Sequence, residues 1–157
     1  MAWTFLDVDR HIENSAGATA RELFTALGET AFRKLESDTL AFALEQSSTI
    51  IALGGAAIDA PANQLLLAQS AHTLVVFLDA PFPTLIERCL MQERNGPAPY
   101  RPLLHKAGTA HTRFLTRRAL YAKHASLTVD VAERAAEEVE RLIQYAAGSP
   151  NQSSAKP

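Results

Sequence analysis

Four apolar residues run directly into a glycine pair at Ile50-Ile51-Ala52-Leu53-Gly54-Gly55-Ala56-Ala57. With no polar residue between them, they read as a strand buried on both faces, followed by a turn without side chains. Ligands on open parallel sheets bind outside the carboxyl ends of the strands, where such a turn lets backbone N–H groups approach an anion. Gly54 and Gly55 are therefore the floor of a candidate site. An ordinary tight strand-to-helix turn would leave the same two residues, and two glycines alone favour that plainer reading.

A chain of 157 residues, 47% hydrophobic and 20% charged, suits one domain with a sizeable core. A formal charge of −2 gives no electrostatic reason to expect nucleic acid or an anionic membrane as partner. No apolar run reaches the 18 or so residues of a membrane span. Asp7 and Asp9 stand where a signal peptide would need its apolar segment. Cys89 is the only cysteine, so no internal disulfide forms, and a reducing cytoplasm is the expected home. His11, His72, His105, His111 and His124 show no close metal-ligand spacing and read as surface or lid residues.

In chain order, Met1 to Asp9 reads as a short strand whose end carries two acids spaced by two. On an extended strand Asp7 and Asp9 would share a face at the carboxyl rim. Such a pair suits a hydrated Mg²⁺, or one metal contact and one hydroxyl contact. Acids that merely end a strand look the same. His11 to Gly17 reads as a turn-rich connector. Thr19 with Glu22 forms a capping box for a short helix from about Ala20 to Leu27, which Gly28 stops. A longer helix runs on from about Glu29 to Gln46, with Phe32, Leu35, Thr39 and Phe42 or Ala43 on its inner face. Arg33 and Glu36 are neighbours on that helix, and as a solvated pair they would be worth a few tenths of a kcal/mol. Facing a rim of acids and glycines, the fork of Arg33 would instead hold a small carboxylate.

Asp59 with Pro61 predicts a capped helix through about Ser70, and Thr73 to Leu78 a second buried strand. A helix with Leu85, Ile86, Arg88 and Leu90 comes next. This alternation argues for a parallel α/β sheet with right-handed crossovers. Arg94 to His111 breaks the pattern with three prolines, two glycines and three basic residues, and reads as a lid of the kind that brings positive charge over an anionic substrate. Thr112 to His124 reads as a helix carrying Arg113, Arg117 and Arg118, and Ala125 to Val131 as a last strand. Asp130 is the expected cap of a final helix, about Ala132 to Ala147, with Ala135, Val139, Leu142, Ile143 and Ala146 as a core stripe. The domain is placed at 1–147, the lid at about 94–111, and 148–157 is a polar tail expected to be disordered.

Taken together and in order, these features resemble shikimate kinase, a small-molecule kinase of the nucleoside-monophosphate-kinase type. The residues that carry the resemblance are Phe5-Leu-Asp-Val-Asp9 with Ile12-Glu13, Gly28-Glu29 leading to Phe32-Arg33 and Glu36, Leu53-Gly54-Gly55, Val75 to Leu78, Arg101-Pro-Leu-Leu104, and Arg117 before Leu120-Tyr121. The resemblance implies a three-layer α/β fold, a parallel sheet flanked by helices. It implies transfer of the ATP γ-phosphoryl group to a shikimate hydroxyl, with Mg²⁺, in a cytoplasmic monomer of the aromatic amino-acid pathway. By the same resemblance Asp9 contacts the shikimate hydroxyls and orients or deprotonates the acceptor, and Asp7 lies near Mg²⁺. Arg33 and Arg117 clamp the shikimate carboxylate, Gly54 and Gly55 give backbone contacts, and Glu36 orients Arg33. Arg101 stabilises the moving phosphoryl group from the lid, and Arg88 stacks on adenine.

The chain departs from the family pattern at three places. Ala56 replaces a third glycine, and Arg117-Arg118-Ala119-Leu120-Tyr121 replaces Arg-x-Pro-Leu-Tyr, which leaves Arg118 as an alternative clamp. No segment matches G-x-x-x-x-G-K-S/T, the loop that cradles ATP phosphates. The family places that loop and its strand upstream, with the strand at the sheet centre between the Asp7 and Gly54 strands and the Val75 strand. The expectation is a start placed too late, or a fragment, short by on the order of 30 residues. Two other readings stand beside the kinase: a non-catalytic shikimate-binding module, and a kinase of another small hydroxy acid such as gluconate.

Overall fold

The computed structural model of the protein describes residues 3–95 and 107–148 of the 157. The order is β1 (Thr4–Asp7), α1 (Val8–Ala16), α2 (Ala20–Leu44), β2 (Thr49–Ala52), a 3-10 turn (Ala57–Asp59), α3 (Pro61–Gln69), β3 (Val76–Asp79), α4 (Phe82–Asn95), α5 (Ala107–His124), β4 (Leu127–Asp130) and α6 (Ala136–Gly148). Both ladders are parallel, as the alternation of strands and helices predicts. β1 pairs β2 from Thr4↔Thr49 to Asp7↔Ala52, and β3 pairs β4 from Val76↔Leu127 to Asp79↔Asp130. Among the described residues no ladder joins the two pairs, which form two separate two-stranded sheets. The chain correspondingly divides into two compact units, Met1–Ser70 and Ala71–Pro157.

In the first unit Val8, Ile12 and Phe32 form the core, with Leu6, Leu23, Leu35, Ile51 and Leu53 packed against them. The inner face of α2 is Phe32, Glu36, Leu40 and Ala43, about one residue round from the expected stripe, so Phe42 turns outward onto the ring of His11 at 5.6 Å. The capping box is present: Thr19 Oγ1 accepts from the Glu22 N–H at 3.3 Å and Glu22 Oε2 accepts from the Thr19 N–H at 2.8 Å. Gly28, at φ 79° and ψ 168°, breaks α2 into the two expected helices, a conformation that a residue with a Cβ adopts only at a cost. The β2 strand is not buried on both faces: Ile50 is 53% exposed, and its ladder partner Phe5 is exposed beside it.

Several boundaries differ from expectation for identifiable reasons. The first strand stops at Asp7, whose Oδ1 accepts from the Arg10 N–H at 3.1 Å and starts α1, so the residues read as a connector are helical. Asp59 lies in the 3-10 turn, and α3 is capped by the backbone of Ala60. Asp130 accepts from the Ala132 N–H at 2.9 Å, a local turn four residues short of α6. No α6 residue is fully buried; Val139, Ile143 and Ala146 are half-buried, whereas Ala135 and Leu142 face outward. His124, read as a surface residue, is half-buried, with Nε2 unpartnered among the described residues. Helices α4 and α5 reach into both ends of the expected lid, and 96–106, with the tail at 149–157, lie outside the described residues.

Candidate active site

Parallel pairing of β1 and β2 brings Asp7 opposite Ala52 at one end of the ladder. The chain leaves both strands at that same edge: the first turn of α1 after β1, and Gly54-Gly55 after β2. Asp9 is on that first turn, not on the strand, so it does not share a strand face with Asp7 as expected. Asp7 spends one oxygen on the helix start, where a carboxylate also opposes the helix dipole. Asp9 is directed at the glycine turn. A Cβ built on Gly54 would lie 2.7 Å from Asp9 Oδ1 and 3.0 Å from Oδ2, closer than a methyl group tolerates. The absence of a side chain at position 54 thus lets the carboxylate approach this closely, a contact that spacing alone could not reveal.

Burial pushes the Asp9 carboxyl above the ordinary aspartate range, and the negative charges of Glu36, Asp7 and Glu13 push the same way. Arg33 opposes them. When an anionic ligand takes up the charge of Arg33, that opposition weakens and Asp9 becomes a better proton acceptor, the direction a general base requires.

Arg33 stands on α2 after the Gly28 break. Its Nη1 donates to Glu36 Oε2 at 2.5 Å, and its Nη2 lies 3.7 Å from Glu29 Oε1. Glu36 is not the solvated partner of the plainer reading: its side chain is 4% exposed, against 30% for Arg33. A carboxylate that deep holds the guanidinium in one orientation, and the Phe32 ring, 5.8 Å from the Arg33 Cζ, supports its face. First-unit geometry therefore brings Asp9 against Gly54 and sets the Arg33–Glu36 pair within electrostatic reach of Asp9.

The second unit carries the other arginines. Arg118 Nε and Nη2 grip both oxygens of Asp79 at 2.6–3.1 Å, and that pair lowers the Asp79 carboxyl below its ordinary range. Arg118 is thus committed to the carboxyl end of β3, whereas half-buried Arg117 is its neighbour on α5. Arg88 Nη2 donates to the carbonyls of Val131 at 2.7 Å and Ala132 at 3.0 Å. Arg101 lies outside the described residues. Among the described residues no three His, Cys, Asp or Glu side chains converge as a metal cage. A hydrated Mg²⁺ asks less than a cage: one or two carboxylates beside substrate phosphates suffice, and Asp7 keeps acceptor capacity on its second oxygen.

Compared with known proteins, residues 1–147 match the family model described as Shikimate kinase. The shikimate kinase of Lactococcus lactis subsp. lactis (strain IL1403) is 40% identical over 140 residues, covering 89% of this chain and 82% of that protein. The shikimate kinase of Nitrosomonas europaea is 35% identical over 161 residues, covering 94% of this chain and 72% of the relative. Among solved structures, shikimate kinase from Acinetobacter baumannii in complex with shikimate superposes with a TM-score of 0.76 at 27% identity, over 92% of this chain and 78% of that one. Shikimate kinase from Aquifex aeolicus gives a TM-score of 0.73 at 29% identity, over 92% and 80%.

Proposed function

The chain belongs to the shikimate kinase family, and from that premise we propose that Asp9, Arg33, Gly54 and Gly55 hold shikimate as the phosphoryl acceptor in ATP-dependent phosphorylation of one of its hydroxyls. The observation that carries this reading is the Asp9 carboxylate seated on Gly54 and raised by burial, with Arg33 fixed by Glu36 close enough to act on it. Arg33 supplies a fork for the substrate carboxylate, and Asp9 accepts a hydrogen bond from, and then the proton of, the attacking hydroxyl. The turn at Gly54-Gly55 lets the backbone approach the ring. Phosphoryl transfer asks a protein mainly for position and positive charge, which is what these residues provide.

By the family resemblance Arg117 is the second ligand of the substrate carboxylate; the fork of Arg118 is bonded to Asp79. On the nucleotide side, two carbonyls hold the edge of Arg88, and a guanidinium so fixed presents a steady face for stacking on adenine. Arg101 would neutralise the transferring group. Mg²⁺, when bound beside Asp7, supplies charge neutralisation of the phosphates. The phosphate-cradling loop has no counterpart in these 157 residues, so no transfer step is assigned to ATP contacts of this chain. The domain is taken as 1–147, acting as a monomer. A single thiol, Cys89, and the lack among the described residues of a helix long and apolar enough to cross a membrane suit a cytoplasmic setting.

Calorimetric titration tests the acceptor. Shikimate should give a saturable heat and gluconate none at the same concentrations, and Arg117→Ala should lose about tenfold or more in shikimate affinity while Arg118→Ala stays within about threefold. Gluconate binding more tightly than shikimate would move the reading to another hydroxy acid. Loss on Arg118→Ala alone would exchange the two arginines.

A further inference from the structure

Asn63 is 1% exposed, a fully buried polar side chain to which the proposed chemistry gives no part. It stands on α3, and its Nδ2 donates to the Ala57 carbonyl at 2.9 Å. Ala57 in turn closes the glycine turn, its N–H donating to the Gly54 carbonyl at 3.0 Å. Gly54 is the residue against which the Asp9 carboxylate rests. One line of contacts therefore runs from the α3 interior through Ala57 and Gly54 to Asp9.

We propose that Asn63 is a positioning residue for the acceptor site: its bond to the Ala57 carbonyl fixes the Gly54–Ala57 turn and, through that turn, the place of the Asp9 carboxylate. The proposal deepens the shikimate reading and rests on it for the role of Asp9. A turn built from two glycines and two alanines has no side chain large enough to brace it from within, so the brace must come from outside. Asn63 gives it from a helix, an element that holds a group more rigidly than a loop does. Of the local turn bonds, the one that falls on the Ala57 carbonyl is the longest: the Ala60 N–H reaches it at 3.4 Å, against 3.0 Å for the Asp59 N–H on the Ala56 carbonyl. Gln64 makes a superficially similar bond, Nε2 to the Ile58 carbonyl at 2.9 Å, but one residue further from Gly54 and only half-buried. It is the natural control.

The test follows the turn and the ligand together. Asn63→Leu removes the donor and the unpartnered Oδ1 together at nearly constant volume, and Asn63→Ala is the second variant should leucine not be accommodated. In either variant the NMR amide resonances of Gly54 and Ala57 should move, and calorimetric shikimate affinity should fall about three- to tenfold. In an Asp9→Asn background the affinity loss on Asn63→Leu should disappear, because the turn then has no carboxylate to place. Gln64→Ala should leave resonances and affinity where they are. The proposal is overturned if the Asn63 variants keep the parent's turn resonances and affinity, if the loss persists in full without the Asp9 carboxylate, or if Gln64→Ala has the same effect. Turn resonances that move in Asn63→Leu while the parent binds no shikimate would sink the substrate reading and leave the bracing of the turn standing.

Discussion

Arg33→Ala should lower shikimate affinity by about 100-fold or more, the scale for deleting one partner of a charged, hydrogen-bonded pair in a partly desolvated site. The variant removes the fork and also leaves Glu36, 3% exposed, without its counter-charge. An uncompensated carboxylate at that depth repels an anionic ligand, so the loss exceeds that of one contact. Arg33→Lys separates the two effects. It restores a positive charge beside Glu36 but presents a point charge instead of a planar fork, and it should recover only part of the affinity. Titration of both variants with shikimate checks this, and equal binding by Arg33→Ala and the parent would remove Arg33 from the clamp.

The second large effect belongs to a residue without a side chain. In Gly54→Ala the new methyl would meet Asp9 Oδ1 at 2.7 Å and Oδ2 at 3.0 Å, so the carboxylate must swing away. Because the nearest atoms are the far end of a side chain, the fold should survive. Shikimate affinity should nevertheless drop on the order of 10- to 100-fold, as expected when a charged acceptor no longer reaches its hydroxyl. The thermal midpoint is the companion measurement. A variant that melts with the parent and binds tenfold or more weakly places Gly54 in the site, whereas unchanged binding would show that the Asp9 position is not what the ligand reads.

The alternation of strands and helices was legible because buried runs and caps are local signals. The Thr19 capping box, the Gly28 break and the parallel ladders all arise from residues within a few positions of one another or from the order of the elements. Asp7 ends the strand as expected, whereas Asp9 falls on a helix, because Asp-x-Asp after an apolar run suits a strand end and a helix start equally. The deciding feature, Val8 and Ile12 burying one face of α1, overlaps the strand pattern. Glu36 shows the reverse case. Its spacing to Arg33 was plain, but its burial depends on the rotation of α2 against α1, which no pair spacing encodes. Asn63 and the Asp79–Arg118 fork gave no signal at all, since each joins elements through contacts that exist only after packing. Motif resemblance supplied the identity of the substrate, and the geometry adds why these side chains are held as they are.

Determination of this chain's structure with shikimate bound is the most direct check on the acceptor site. The account predicts the ligand carboxylate within about 3 Å of the Arg33 guanidinium, a ring hydroxyl at the same distance from Asp9, and the ring over Gly54-Gly55. Shikimate seated elsewhere, with Asp9 and Arg33 contacting no common ligand, would contradict it.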